Sequence, residues 1–365
     1  MQKVLEVNYK MDIGGIETFL MNVYRNIDKS KYELIFLTYN PYKYDYEDEI
    51  LKMGGKIIKI SNPRDITIIK HIYQIYKVLK EEKVDVVHAH TYFDSAYVMI
   101  AAYLANIKVR IVHSHTAMSL KERRILKKIK WFIARIIINL IATEKIACST
   151  EAGKALFGAS KFQIICNGIK LEDYSYNKGY REKFRKEFFC DEDTIVLGHV
   201  GRFDFPKNHE FLIRIMKEIV RLNKNTKLIL VGSGKLRETI EKKIKEYNLE
   251  SNVILLGNRN DVNKIINSFD IFVFPSIYEG LPVSLIEAQA NGLTCLVSKN
   301  ISEEVKLANN LFFEDIKANP KKWAEKILEI NKERNFKLEK LKNSKYEISK
   351  TTETLEKLYV KSRKE

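Results

Sequence analysis

The sequence is poor in the residues that punctuate or cross-link a chain. Six prolines and fifteen glycines among 365 residues exclude collagen-like and Pro/Gly-rich low-complexity classes. With 45% hydrophobic and 30% charged residues, a largely disordered chain is excluded as well. Cysteine is scarce: Cys148, Cys166, Cys190 and Cys295 form no C-x-x-C pair and no metal-ligand spacing. They read as reduced, buried thiols of a cytoplasmic protein without a disulfide framework. Long apolar runs are missing too. The longest, residues 131–142, is interrupted by Arg135 and Asn139 and falls short of the ~18 residues that a membrane span needs. The opening Met1-Gln2-Lys3-Val4-Leu5-Glu6 meets charge too early for a secretory signal.

What is present is a chain long enough, at about 100–200 residues per domain, for two domains with a sizeable core in each. Short β-branched runs recur at residues 4–7, 34–37, 56–60, 84–87, 109–112, 145–148 and 163–166. A second set follows at 195–199, 227–231, 252–256, 271–274 and 294–297. They are continuous apolar runs, as parallel strands covered on both faces must be, and amphipathic stretches such as 66–80 separate them. The reading is α/β, two Rossmann-like domains facing a central cleft, with a hinge near residue 170. The expected division is 1–170, 171–343 and a terminal helix within 344–365, where Ile348, Leu355, Leu358 and Tyr359 recur at helical spacing.

Ligands of open parallel sheets bind at the carboxyl ends of strands, so the loops after strands carry the functional search. After the strand at 271–274, Pro275 ends the run, Glu279 and Gly280 form a loop, and Pro282 suits the first position of a helix holding Glu287. N–H groups at Leu281, Val283 and Ser284 would then make an anion site of the kind that holds a diphosphate. Either carboxylate alone would pass for a helix cap or a surface residue. After the strand at 195–199, Gly201, Arg202 and Lys207 follow in one loop. A forked guanidinium and a point-charge ammonium suit the growing negative charge of a departing nucleoside diphosphate, which argues against the glycoside hydrolysis that a carboxylate pair could also suggest.

Further pieces occur in order along almost the whole chain. They are Gly14-Gly15-Ile-Glu17, Asp85-Val-Val-His88-Ala-His90, His113-Ser-His115, Asn167-Gly168, Gly201-Arg202 with Lys207, Val231-Gly232-Ser-Gly234, Leu256-Gly257-Asn258-Arg259, and the E-x7-E element from Glu279 to Glu287. Together they resemble a retaining GT-B glycosyltransferase of family 4, a fold in which the C-terminal helix can return to the N-terminal domain. Glu304-Val-Lys-Leu and the stretch from Phe312 to Trp323 resemble its capsule and exopolysaccharide branch. Asn291-Gly-Leu-Thr-Cys295 lacks the proline that often follows that glycine.

The resemblance implies roles. Arg202 and Lys207 would grip the diphosphate, Glu287 the ribose hydroxyls and Glu279 the donor-sugar hydroxyls, with His115 near the reacting sugar. Gly15, Gly232, Gly280, Leu281, Pro282 and Val283 would bring backbone close to the donor, and residues 256–259, with Asn258 and Arg259, would edge a uracil. The implied reaction moves a hexose or N-acetylhexosamine from a UDP-sugar to a saccharide acceptor, lipid-linked in capsule or exopolysaccharide synthesis, with no cofactor and no required metal. A nucleotide-sugar 2-epimerase is the alternative on the same fold.

The remaining feature is charge. Net charge is +16, and residues 101–150 hold ten Lys/Arg against Glu122 and Glu144, half of the total. Within 121–135 lie Lys121, Arg123, Arg124, Lys127, Lys128, Lys130 and Arg135 against one acid, next to an apolar run containing Trp131. A basic helix beside such a run is suited to lie on an anionic membrane surface, peripheral on the inner face of the cell membrane, with Ile136 to Ile141 expected in the core. The alternative from a different class is a basic nucleic-acid-binding protein, but no helix-turn-helix, finger or stacking-sheet signature accompanies the charge, and no nucleic-acid partner is expected. A nicotinamide enzyme is disfavoured, since Gly14-Gly15 lacks the third glycine of G-x-G-x-x-G. The pairs His88/His90 and His113/His115 could ligate zinc on spacing alone, but no third acidic ligand accompanies them. Asp191-Glu-Asp193 precedes a strand and reads as an exposed turn.

Overall fold

The structure is a computed structural model and describes residues 1–116, 125–279, 281–335 and 344–360. They form two compact units, Met1–Ile169 with the C-terminal segment from Ile348, and Lys170–Glu347.

The first unit is a seven-stranded parallel sheet: β1 (Gln2–Val7), β2 (Tyr32–Thr38), β3 (Lys56–Lys59), β4 (Val86–Ala89), β5 (Val109–Ser114), β6 (Glu144–Ala147) and β7 (Gln163–Ile164), in the order β3-β2-β1-β4-β5-β6-β7. Strand order reverses between β1 and β4, and the register sets Glu6 beside His88 and Val7 beside Ala89. The C-terminal helix Ile348–Val360 packs on the helix Gly15–Asn26 and closes this unit. Its Ile348, Leu355, Leu358 and Tyr359 enter the same core as Val4, Phe19 and Phe36, each buried side chain contributing about 1.5–3 kcal/mol. The chain crosses under this helix at Gly168, where a Cβ would meet Thr351 Oγ1 at 2.4 Å and the Ile348 Cα at 2.8 Å; only glycine leaves room for the helix.

The second unit is a six-stranded parallel sheet: β8 (Ile195–Val200), β9 (Thr226–Val231), β10 (Val253–Gly257), β11 (Ile271–Phe274), β12 (Thr294–Ser298) and β13 (Leu311–Glu314), in the order β10-β9-β8-β11-β12-β13. Its reversal lies between β8 and β11. Trp323 is fully buried against Phe211, ring centroids 5.8 Å apart, and its indole N–H donates to Asp315 O. Strand β13 is absent from the sequence reading. It is an edge strand with Phe312 exposed and Glu314 buried, so it lacks the continuous apolar run of a covered strand. The polar stretch after residue 174 contains the helix Lys178–Glu187. All four cysteines are buried and none is in a disulfide.

No helix of the described residues is long and apolar enough to cross a membrane. The helix Ile125–Ile141 departs from expectation. Of its apolar residues only Ala134 and Ile138 are buried, while Ile125, Leu126, Ile129, Phe132, Ile133, Ile136 and Leu140 are exposed. The expected core placement of Ile136 to Ile141 therefore holds for Ile138 alone, because the helix offers only one narrow stripe to the neighbouring helices it packs on. Arg135 is diverted from any docking role. Its guanidinium donates to Leu156 O and Ala155 O, covering carbonyls at the end of the helix Thr150–Phe157. Lys121, Arg123 and Arg124 lie outside the described residues.

Candidate functional site

In the second unit the reversal of strand order sends the β8 and β11 loops in opposite directions and leaves a crevice at their carboxyl ends. From β8 the chain enters Gly201 and Arg202, then a single turn of 3-10 helix, Phe205–Lys207. Asp204 caps that turn by accepting from the Phe205 N–H, and Asn208 takes a left-handed conformation at φ 56° to start the helix His209–Leu222. These two devices aim Lys207. Its Nζ lies 2.8 Å from Glu279 Oε1 and 4.7 Å from the centroid of the Phe274 ring. The Lys207–Glu279 approach is a charge contact and not an aligned hydrogen bond, since Glu279 Oε1 has no hydrogen-bond donor. Arg202 is exposed in the same loop.

The loop from β11 brings Glu279 and then the helix Val283–Ala290. Here the structure corrects the expected helix start. Pro282 is the N-cap residue instead of the first helical one, and the Val283 N–H is already bonded to Leu281 O at 3.0 Å, so it is not one of the unpaired anion donors that spacing suggested. Leu281 is half-buried and Pro282 buried beside it; Gly280 lies outside the described residues. Glu287, in the second turn, is buried and accepts a 2.7 Å hydrogen bond from the Tyr174 hydroxyl. Burial pushes its carboxyl up to about 7, against Tyr174 and Lys207, which pull it down. A carboxylate desolvated to this degree with one protein donor is poised to take hydroxyl groups from a ligand.

The β9 and β10 loops complete this end of the sheet. Gly232 has φ 131°, and a Cβ there would stand 2.2 Å from Gly201 O. Its N–H donates to Gly257 O at 2.8 Å, so Gly201, Gly232 and Gly257 bring three loops together by their backbones. Asn258 is exposed, and Arg259 is forked onto Asp261 with both contacts at 2.7 Å. Asp191 to Asp193 are exposed ahead of β8.

In the first unit, Gly15 opens the helix Gly15–Asn26 and is exposed, and a Cβ placed on it would meet nothing within 4 Å. His115 follows β5 as a half-buried ring whose Nε2 lies 2.8 Å from His90 Nδ1. The other nitrogen of His90 lies 2.8 Å from Glu6 Oε2. Among the described residues one group, His88, His90 and His113, brings a ring nitrogen from each within 4.8 Å of the others. Both nitrogens of His90 are already engaged, with Glu6 and His115.

Comparison with known proteins is consistent with this arrangement of loops. Residues 13–173 match the family model described as Glycosyltransferase Family 4, and residues 180–348 match the one described as Glycosyl transferases group 1. The putative glycosyltransferase EpsF of Bacillus subtilis is 36% identical over 83% of this chain and 81% of its own. The chain belongs to glycosyltransferase family 4. This glycosyltransferase is also 32% identical, over 68% of its length and 67% of the relative's, to the UDP-Gal:alpha-D-GlcNAc-diphosphoundecaprenol alpha-1,3-galactosyltransferase of Escherichia coli. Its fold is GT-B, two parallel-sheet Rossmann-like units. Anabaena Alr3699/HepE, solved in complex with UDP and glucose, superposes with a TM-score of 0.80 at 16% identity, covering 99% of this chain and 100% of that one.

Sequence reasoning missed Tyr174, the donor to Glu287, and Asn291, whose Nδ2 donates to Tyr174 O at 2.8 Å and holds that segment. It also missed Glu6 behind the histidines. Tyr174 and Glu287 are 113 residues apart, and no local pattern marks the pair.

Proposed function

We propose that this glycosyltransferase moves a hexose or N-acetylhexosamine from a UDP-sugar, with retention and without a metal, to a lipid-linked saccharide acceptor in capsular or exopolysaccharide assembly. The observation that carries the reading is the grouping of Lys207 and Glu279, on the loops that leave β8 and β11, with buried Glu287 in the helix that follows the second loop. In transfer, the bond from the anomeric carbon to the phosphate oxygen breaks. The acceptor oxygen joins the same face, and its proton passes to the departing phosphate. Arg202 and Lys207 stabilise the charge that grows on the diphosphate, Glu287 accepts from the ribose, Glu279 and His115 hold sugar hydroxyls, and the Asn258–Arg259 backbone edges the base. The donor and acceptor printed in the Escherichia coli relative's name, and the UDP and glucose of the Anabaena neighbour, support the choice of ligands.

A thermal-shift panel of UDP, GDP, ADP and dTDP, each with and without magnesium, checks the donor. UDP at a hundredfold excess over its Kd is expected to add about 2.7 kcal/mol of apparent stability, selectively and equally with or without magnesium. A preference for GDP, or a strict need for the metal, would sink the donor assignment. Incubation with a UDP-sugar alone separates transfer from epimerisation: release of an epimerised nucleotide sugar contradicts the proposal.

The helix Ile125–Ile141 supports a place for the enzyme on the inner face of the cell membrane. Ile125, Ile129, Phe132, Ile136 and Leu140 recur at helical spacing on its exposed side, and Lys127, Lys128 and Lys130 stand exposed among them. An apolar stripe flanked by lysines seats at the headgroup boundary of an anionic bilayer. The protein is expected to sediment with phosphatidylglycerol vesicles and not with phosphatidylcholine ones. Changing Lys127, Lys128 and Lys130 to Glu should cost at least about 3 kcal/mol of that binding, at ~1 kcal/mol per lysine lost. Equal sedimentation of the variant would exclude this surface.

A further inference from the structure

Three strands of the first unit deliver an unbroken polar chain to His115. Glu6 lies on β1, His90 directly follows β4, and His115 directly follows β5. Glu6 Oε2 is 2.8 Å from His90 Nε2, and His90 Nδ1 is 2.8 Å from His115 Nε2. The other carboxylate oxygen, Glu6 Oε1, accepts from the Tyr359 hydroxyl at 3.0 Å. His88 Nδ1 is 3.1 Å from that hydroxyl and 3.3 Å from Glu6 Oε2. The C-terminal helix, which carries Tyr359, thus reaches across to the back of the chain of groups.

We propose that Glu6, acting through His90, holds His115 in a single tautomer with its proton on Nε2 and a lone pair on Nδ1. An ionised carboxylate only accepts hydrogen bonds, so His90 Nε2 must be the donor to Glu6. A neutral imidazole has one donor and one acceptor. His90 Nδ1 therefore accepts, and His115 Nε2 donates to it. The surroundings keep the charges where this needs them. Burial would raise the Glu6 carboxyl, but His88 and His90 hold it well below the usual carboxylate range. Burial and the neighbouring His88 push His90 down to about 4. Burial, His90 and His88 keep His115 neutral, with the Asn167 side chain and the Glu6 charge working the other way.

The consequence is chemical. The nitrogen left over on His115, Nδ1, is buried and meets no aligned hydrogen-bond partner among the described residues, with the Asn167 side chain nearby. In this tautomer it accepts, so it takes a proton-side contact from a sugar hydroxyl and offers none to a carbonyl or phosphate oxygen. Glu6 and His90 are then positioning residues for the hydroxyl-binding group. The role in transfer rests on the proposed placement of His115 beside the sugar; the tautomer does not.

Histidine 15N spectra of the full-length protein at pH 7.5 test this without substrate, His115 being assigned by its loss in His115→Asn. The expected spectrum shows His115 with a protonated Nε2 and a bare Nδ1. A protonated Nδ1, or a doubly protonated ring, overturns the proposal, and so do ring shifts to metal-bound values at His88, His90 and His113 on adding one equivalent of zinc. In Glu6→Gln the tautomers are expected to mix and kcat to fall about tenfold, with KM for the UDP-sugar changed less than about twofold, because a charge-assisted hydrogen bond behind the ring is lost while the donor contacts remain. A Glu6→Gln enzyme matching wild type in spectrum and kcat also overturns it. Should Glu6→Gln fail to fold, the wild-type spectrum still decides. The expected spectrum in an enzyme that turns over no UDP-sugar would count against the proposed donor and leave the tautomer assignment standing.

Discussion

Lys207→Ala is expected to lower kcat for sugar transfer by about 10²–10³-fold, the usual cost of removing one donor aimed at developing charge. The ammonium is held ready before any ligand binds, 2.8 Å from Glu279 and over the Phe274 ring, so no reorganisation is needed when the diphosphate departs. Removing it also leaves Glu279 as an uncompensated negative charge beside that diphosphate. Stability should fall as well. The pair is mostly buried, at 18% and 14% side-chain exposure, and removing one partner of a buried pair costs up to about 3–5 kcal/mol, so turnover is to be compared at a temperature where the unfolding curve shows the variant folded. Loss of turnover in a cooperatively folded variant is therefore a catalytic effect. Glu287→Ala should act differently, abolishing the UDP-induced thermal shift by removing the buried acceptor that Tyr174 orients. UDP-release assays and unfolding curves on both variants check this; wild-type turnover in either folded variant would contradict the site.

The second large effect is a loss of stability in mild acid. His90, His199 and His209 are buried, and burial pushes their imidazoles down to about 4, about 3 and about 2. In the unfolded chain each titrates near 6.5. Between about pH 6 and pH 4.5 the unfolded state therefore binds three protons that the native state refuses, so stability that is present above pH 6.5 is lost as pH falls. Glu287 works in the opposite sense. Its folded value, raised to about 7, makes the native state bind a proton that the unfolded state lacks above about 4.5; that contribution is full at low pH and is lost as pH rises through 7. These three against one leave a net two protons, or about 2.7 kcal/mol lost per pH unit in this window, and His113 and His115, also held well below the usual imidazole range by burial, add to the loss. Urea midpoints at pH 7.0, 6.0 and 5.0 should fall steeply and in step. A flat profile would mean that these histidines are charged or solvated in the native protein.

Much of the fold was legible because both sheets are parallel and covered on both faces. Covered strands must be continuous apolar runs, and twelve runs stand in the sequence at the places where the structure has strands, the edge strands Lys56–Lys59 and Gln163–Ile164 included. The thirteenth, Leu311–Glu314, escaped because an edge strand can leave Phe312 in solvent and still bury Glu314. The loop chemistry after β8 and β11 was equally visible, since Pro, Gly, Lys and Glu act there over a few neighbouring residues. Its one local error, the position of Pro282, came from treating a helix start as a matter of propensity when packing of the loop sets it by one residue.

The helix Ile125–Ile141 shows the limit of pattern. Its composition is apolar enough for a core, yet it packs on the helices Ser95–Leu104 and Thr150–Phe157 and buries only Ala134 and Ile138. Arg135 belongs to the basic run in sequence but in space covers the carbonyls of Ala155 and Leu156.

The sequence by itself determined the two-sheet α/β architecture, the family, the loops that bear Arg202, Lys207 and Glu279, and the helix that bears Glu287, because each is encoded in residues adjacent along the chain. Only the tertiary structure decided that Tyr174 meets Glu287, that Tyr359 of the last helix meets Glu6, and that Glu6, His90 and His115 form one hydrogen-bonded line. Those partners lie 25 to 353 residues apart. Parallel register and helix packing create their contacts, and neither leaves a mark on the local sequence.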